Sequence, residues 1–289
     1  MVSASDDNTT GGGLGSQLWA FYRSNRLTLS SLHYYSKDYN PGIGLELLDT
    51  NYMMNSLIVN FDFRPKILPA AVRSFNPGAS AVAFRSSDDG ELLFAFAPVR
   101  PFRLRFQSGA QVDMVVEPHR QRLDEPFSPA GIEISPGEYD YTRFRMDART
   151  DRSKIFAASA RAETGDYFDG SLTSYSVSGR IAPIPQIELS ADIQVNQIAN
   201  LGVAAEDKTT RLYRVNARLA LNPQLQVTGF YQWNSLSDQS AWNFRLSWEY
   251  RPLSYLYVVY NKNDKKGLAP AERFSQDQII VKATYLFEM

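Results

Sequence analysis

The chain contains no cysteine. That excludes a disulfide scaffold, a thiolate zinc site and a cysteine nucleophile. It also suits a chain that crosses an oxidising compartment unfolded. No apolar run approaches the roughly 20 residues of a membrane-crossing helix, and no long segment keeps a helical period. An excess of charge of one sign is missing too: 30 basic residues face 31 acidic ones, for a net charge of −1. With no basic stripe, nucleic-acid binding has no electrostatic footprint. Only two histidines are present.

What is present is alternation. From Gln278 onward the apolar residues are Ile279, Val281, Ala283, Tyr285, Phe287 and Met289, with mostly polar residues between them. Upstream, Trp242, Phe244, Leu246, Trp248 and Tyr250 alternate with Asn243, Arg245, Ser247, Glu249 and Arg251. Ile187, Leu189, Ala191, Ile193 and Val195 alternate with Glu188, Ser190, Asp192, Gln194 and Asn196. A period of two gives a strand one greasy and one wet face. Aromatic residues at strand ends on the greasy face match an interfacial girdle. The pattern predicts an all-β, antiparallel, transmembrane barrel of about 14–16 strands. A soluble β-rich domain is the competing class.

About fifteen strands are expected, near 16–23, 26–36, 51–64, 69–86, 90–106, 110–121, 138–150, 153–163, 169–181, 186–198, 208–221, 224–234, 240–251, 254–262 and 275–289. Short turns such as Ser24-Asn25, Asp151-Arg152 and Asn222-Pro223 alternate with longer loops such as Leu123 to Gly137 and Ala199 to Asp207. Outer-membrane barrels have this rhythm, short turns inside and long loops outside. Residues 1–15 read as a polar, Gly-rich segment without the pattern of a secretory signal, and 16–289 as the barrel domain. Counted from a periplasmic C-terminus, the first strand runs inward, which makes the count odd. Bacterial single-chain barrels are even. The expectation is therefore a miscount, or a barrel completed by strands beyond this sequence.

Three segments in the middle belong together: Arg122-Leu123-Asp124-Glu125-Pro126-Phe127, then Pro136-Gly137-Glu138-Tyr139 with Thr142-Arg143-Phe144, then Asp151-Arg152-Ser153. Thr164-Gly165-Asp166-Tyr167-Phe168, Leu172-Thr173-Ser174-Tyr175, Tyr250-Arg251-Pro252, Val259-Tyr260-Asn261 and Tyr285-Leu286-Phe287 follow in order. Their order and spacing resemble the C-terminal part of a bacterial family known as domain of unknown function 5916. Asn40-Pro41-Gly42-Ile43-Gly44 is similar to that family's Asn-Pro-Glu-Val-Gly step. The resemblance covers nearly the whole chain but only the later half of a typical member. Such members carry a secretory signal and a family-nine carbohydrate-binding-like sandwich, both absent here. The resemblance implies an outer-membrane β region and no particular activity.

The polar faces carry charges of both signs. Arg143, Arg145, Arg161, Arg180, Glu188, Asp192, Arg214, Arg218, Arg245, Glu249 and Lys282 are the candidates for lining a lumen. They read either as ion pairs stitching a wet interior or as a passage for anionic solutes. Trp242, Phe244, Leu246, Trp248, Tyr250, Tyr285, Phe287 and Met289 are the candidates for lipid contact and for the signal read during barrel assembly. Outer-membrane phospholipases need a Ser-His-Asn arrangement and outer-membrane proteases use Asp and His pairs. His33 and His119 both fall toward outer strand ends, where such sites occur, but rim residues are the default and no catalytic residue is assigned. No cofactor or metal ligand set is expected; Asp88-Asp89-Gly90 and Asn261 to Asp264 lack the EF-hand spacing.

The functional expectation is a non-enzymatic pore, transport component or surface scaffold in the outer membrane of a Gram-negative bacterium. The alternative is a surface carbohydrate-binding or outer-membrane hydrolytic protein. Expected partners are outer-membrane lipid, the barrel-assembly machinery, and other strands or chains that complete the barrel; nucleic acid is not among them.

Overall fold

A computed structural model describes residues 2–7, 11–38, 51–267 and 273–287; for 2–7 and 11 only the backbone is described. Met289 and Asn40 to Gly44 lie outside these residues, so the expectations placed on them are not addressed by it. Among the described residues the chain is all β, with eighteen strands and a single 3-10 turn at Pro129–Gly131. None of the described helices is long and apolar enough to cross a membrane.

In chain order the strands are β1 Val2–Asp7, β2 Gly11–Arg23, β3 Leu27–Lys37, β4 Tyr52–Phe61, β5 Val72–Phe75, β6 Gly78–Ser86, β7 Leu92–Phe96, β8 Val99–Phe106 and β9 Gln111–Leu123. They continue as β10 Gly137–Arg149, β11 Phe156–Tyr167, β12 Gly170–Ile184, β13 Ile187–Leu201, β14 Glu206–Asn222, β15 Leu225–Asn234, β16 Gln239–Arg251, β17 Ser254–Lys266 and β18 Arg273–Ala283. If β7 and β8 are joined as one broken pass, and β1 and the four-residue β5 are set aside, the fifteen expected passes remain.

The chain divides into two compact units. The first is Met1–Asp147 with Glu163–Leu172 and Ile198–Asp207; the second is Ala148–Ala162, Thr173–Gln197 and Lys208–Met289. In the first, β2, β3, β4 and β6 pair antiparallel in sequence, and β7 and β8 each pair with β9. In the second, β14 to β18 form an uninterrupted antiparallel meander. Such a meander is the pattern of up-and-down barrels.

Four expectations change. The polar, Gly-rich segment 1–15, read as lying outside the strands, contains β1, which pairs antiparallel with the start of β2, Val2 opposite Ser16 and Asp7 opposite Gly11. A ladder is made of backbone groups, so a run without side chains can still pair, though weakly. The expected strand 69–86 is two pieces, because Pro77 has no N–H to donate; β5 pairs instead with β8. Pro98 breaks 90–106 in the same way. The last strand was expected to reach Met289, but β18 ends at Ala283. Thr284 still exchanges two backbone bonds with Tyr255, and then β17 has run out. The Leu286 N–H turns to the Ser254 hydroxyl at 3.1 Å. Tyr285 and Phe287 therefore follow the strand rather than belong to it.

Three of the segments quoted for the resemblance, Arg122 to Phe127, Pro136 to Phe144 and Thr164 to Phe168, lie in the first unit. Ile132, Ile134, Tyr141, Phe168, Ile198 and Leu201 form a buried cluster. Phe127 and Ile134 bridge across the loop that carries the 3-10 turn, and Tyr139 donates to the Ser135 carbonyl at 2.7 Å. Arg143, 5% exposed, donates to Glu163 at 2.7 Å and to the Leu172 carbonyl at 2.9 Å. Two glycines are required there. A Cβ on Gly165 would sit 2.2 Å from the Thr142 oxygen, and one on Gly202 2.3 Å from the Glu133 oxygen, both at positive φ. In the second unit, Asp151 accepts the Ser153 N–H at 2.9 Å. That bond holds its carboxyl below the usual carboxylate range and explains the Asp-Arg-Ser turn as an Asx-turn.

Candidate functional site

The two faces of β13 show the decisive geometry. Ile187, Leu189 and Ile193 are 41%, 46% and 49% exposed, while Glu188, Ser190, Asp192, Gln194 and Asn196 between them are all less exposed. A water-soluble sheet does the reverse, placing apolar side chains inward. β16 follows suit: Trp242, Phe244, Trp248 and Tyr250 are exposed, with Asn243 and Glu249 half-buried. The middle of β16 departs from the pattern, with Arg245 exposed and Leu246 half-buried. The register carries this face across the meander, joining Phe244 to Gly229 and Tyr260, and Tyr260 to Ile279.

The opposite face of the second unit holds most of the expected charges. Glu188 gathers two guanidiniums, Arg180 at 2.8 Å and Arg218 at 3.7 Å. A cavity of about 320 Å³ lies among Glu188, Ser190, Asn216, Arg218 and Thr228. Arg218 and Arg245 lie in one row, each opposite Thr228, and Asn243 donates to Asn261. Arg214 is half-buried opposite Gln232. Glu249 does different work: it accepts the Leu253 N–H and caps the turn. Lys282 and Arg161 are exposed. Every described position of β18 is exposed, so burial does not separate its faces. Arg251 lies against the Tyr285 ring, its guanidinium 5.5 Å from the centroid.

In the first unit the same kind of face is densely paired. Arg145 bridges Asp147 at 3.0 Å and Glu117 at 3.4 Å, His119 meets Glu117 at 3.0 Å, and Arg103 meets Asp113 at 2.6 Å. These groups alternate with outward Met114, Phe144 and Met146, all exposed. Above them runs a chain of rings that the sequence reading missed. Tyr34 contacts Tyr52, Tyr52 contacts Phe84, Phe84 contacts Phe94, and Phe94 and Phe96 contact His119. His119 stacks on Tyr141 at 4.9 Å. The rings come from six strands, and only the register reveals them as neighbours.

His33 differs from His119. Its row runs His33, Asn55, Ala83, Ala95, Arg120, on the face away from His119. Its Nδ1 is 2.5 Å from Asn55 Oδ1, and its Nε2 is 3.3 Å from Ser31 Oγ. Ser31, His33 and Asn55 border a cavity of about 580 Å³ with Leu57, Ala83, Ala95 and Pro118, and the charged Arg120 and Asp140 border it too. Among the described residues no acidic, histidine or cysteine cluster could hold a metal ion.

No family model matches the chain, and no curated protein matches it. Among the solved structures that match are two whose alignments cover most of its length. A BenF-like porin from Pseudomonas fluorescens is 9% identical with a TM-score of 0.32, covering 97% of this chain and 94% of that one. The Ralstonia pickettii toluene transporter TbuX is 12% identical with a TM-score of 0.25, covering 90% and 79%.

Proposed function

We propose that the chain is an outer-membrane β-barrel of a Gram-negative bacterium that serves as a pore or transport component. The observation that carries this reading is the inversion in β13, with Ile187, Leu189 and Ile193 exposed and Glu188 and Asp192 withdrawn. A lipid bath rewards that arrangement and water penalises it. Under this reading the face of the second unit that bears Glu188, Asp192 and Arg218 lines a wet lumen, and the face of the first unit that bears Arg145 is also wet. Lumen-facing status of Arg143, Arg161, Arg180, Arg214, Arg245, Glu249 and Lys282, and lipid contact by the β16 aromatics, belong to the proposal. So do the assembly machinery and any further strands as partners. The close pairing of carboxylates with guanidiniums supports the reading of a wet interior held by ion pairs over that of a strongly anion-selective passage.

The test is reconstitution. Purified protein refolded into vesicles should shift in gel mobility on heating and give ion conductance in a planar bilayer. A chain that stays in the soluble fraction without detergent, monomeric and folded, would overturn the reading.

A further inference from the structure

The Ser31, His33 and Asn55 side chains have the mutual geometry of a nucleophile, its base and the group that orients the base. Ser31 and His33 are two apart on β3, so they share a face. Asn55 is the cross-strand partner of His33 on β4. With Asn55 Oδ1 at 2.5 Å, the His33 Nδ1–H donates to it. That leaves the Nε2 lone pair for the Ser31 hydroxyl at 3.3 Å. The spacing is within the looser range of an unliganded site. A structural pair would need only the first contact; the second adds the activating one.

A second, independent observation is the space beside it. The same face carries Ala81, Ala83 and Ala95, whose small side chains leave the cavity of about 580 Å³ bounded by Leu57 and Pro118. That volume falls within the usual range for a small-molecule site. A trough lined mostly by methyl groups, with a hydroxyl, an imidazole and the paired Arg120 and Asp140 at its border, fits an acyl chain with its ester at the polar edge. The face lies opposite the one bearing Glu117 and His119, and in the function proposed above, on which this inference rests, it is the outer face, with the ion pair of Arg120 and Asp140 at the headgroup level.

We propose that Ser31, His33 and Asn55 hydrolyse the acyl ester of a membrane lipid. Ser31 Oγ attacks the ester carbonyl carbon while its proton passes to His33 Nε2. The carbon–oxygen bond to the glycerol then breaks, and the alcohol leaves with that proton. Water repeats the sequence on the acyl-serine, releasing the fatty acid and restoring Ser31. Asn55 is a positioning residue: it acts through His33, fixing its tautomer. The β3 amides are engaged in ladders with β2 and β4, so the oxyanion draws its donors from side chains or water.

The experiment uses the whole chain refolded into vesicles of phosphatidylethanolamine and phosphatidylglycerol, reading released fatty acid, with gel mobility on heating and conductance as measures of insertion. Wild type should release fatty acid, and a sulfonyl fluoride should add mass at Ser31. S31A and H33A should each lower the rate at least about 100-fold with insertion unchanged. N55A should lower kcat with little change in KM, and N55D should restore much of it. Inserted, conducting wild type that releases no fatty acid would overturn the triad and leave the barrel standing. So would S31A that retains the wild-type rate. A chain that fails to insert at all strikes the barrel reading, and this inference falls with it.

Discussion

The loop between β9 and β10 and the strand β13 handle hydrophobic residues in opposite ways. In the loop, Ile132 and Ile134 are 1% and 0% exposed, packed with Leu201 and Phe168. In β13, isoleucines at 187 and 193 stand nearly half exposed while a glutamate and an aspartate withdraw. The same side chain is buried in one place and displayed in the other. The loop follows the rule for a segment surrounded by water, with its own small core. In the barrel proposed above, the strand follows the rule for a segment whose outer solvent is hydrocarbon. Hydrophobic content alone does not separate the two; the direction of burial does.

A substitution that suits one solvent should break the other. Ile134→Asp places an unpaired carboxylate in the buried cluster and should destabilise it by about 3–5 kcal/mol, seen as lost hydrogen-exchange protection around Tyr141 and Phe168. Equal protection in the variant would mean the cluster is not a core. Leu246→Arg should cost the inserted protein about 2–4 kcal/mol if that residue lies near the bilayer midplane, with Ser247→Arg costing far less. Matching penalties in a vesicle-folding titration would undo the assignment of faces. Gly202→Ala combines positive φ with a contact to the Glu133 oxygen and should cost about 1–3 kcal/mol. Thermal melting of the refolded protein measures it, and an unchanged midpoint would show that the loop moves aside. Glu188→Gln should change stability by about 1 kcal/mol or less, because its partners Arg180 and Arg218 are part-exposed. Its clearer effect should be on ion selectivity of the reconstituted conductance, toward anions.

The terminal aromatics sharpen the comparison from another side. Tyr285 and Phe287 lie past the end of β18, ring against ring at 4.5 Å. Changing both to serine should leave the melting midpoint nearly unmoved and lower the yield of inserted protein, measured by surface labelling. Full yield would remove their role in assembly.

Much of the strand plan was legible because alternation is local. Glu188 beside Leu189, or Asn243 beside Phe244, announces a two-sided strand without reference to any neighbour. Pro77 and Pro98 were equally visible, and the breaks they make follow from a missing N–H. The ring chain from Tyr34 to Tyr141 was not legible, because its members are spread over six strands and touch only through register. The Ser31–His33–Asn55 contact was half legible. Ser31 and His33 sit two apart on one strand, but Asn55 joins them only because β4 pairs with β3 at that register.

By itself the sequence determined which residues share a strand face and where most turns fall, since a period of two and the backbone limits of proline and glycine act over a few residues. It also determined that no cysteine chemistry and no membrane-crossing helix apply. The tertiary structure decided what those faces meet. Pairing set Asn55 against His33, gathered Arg180 and Arg218 on Glu188, closed the loop of Ile132 and Ile134 over Phe168, and ended β18 where β17 ran out of backbone. Each depends on which strands lie side by side and at what offset, and a shift of one residue would turn every side chain to the other face.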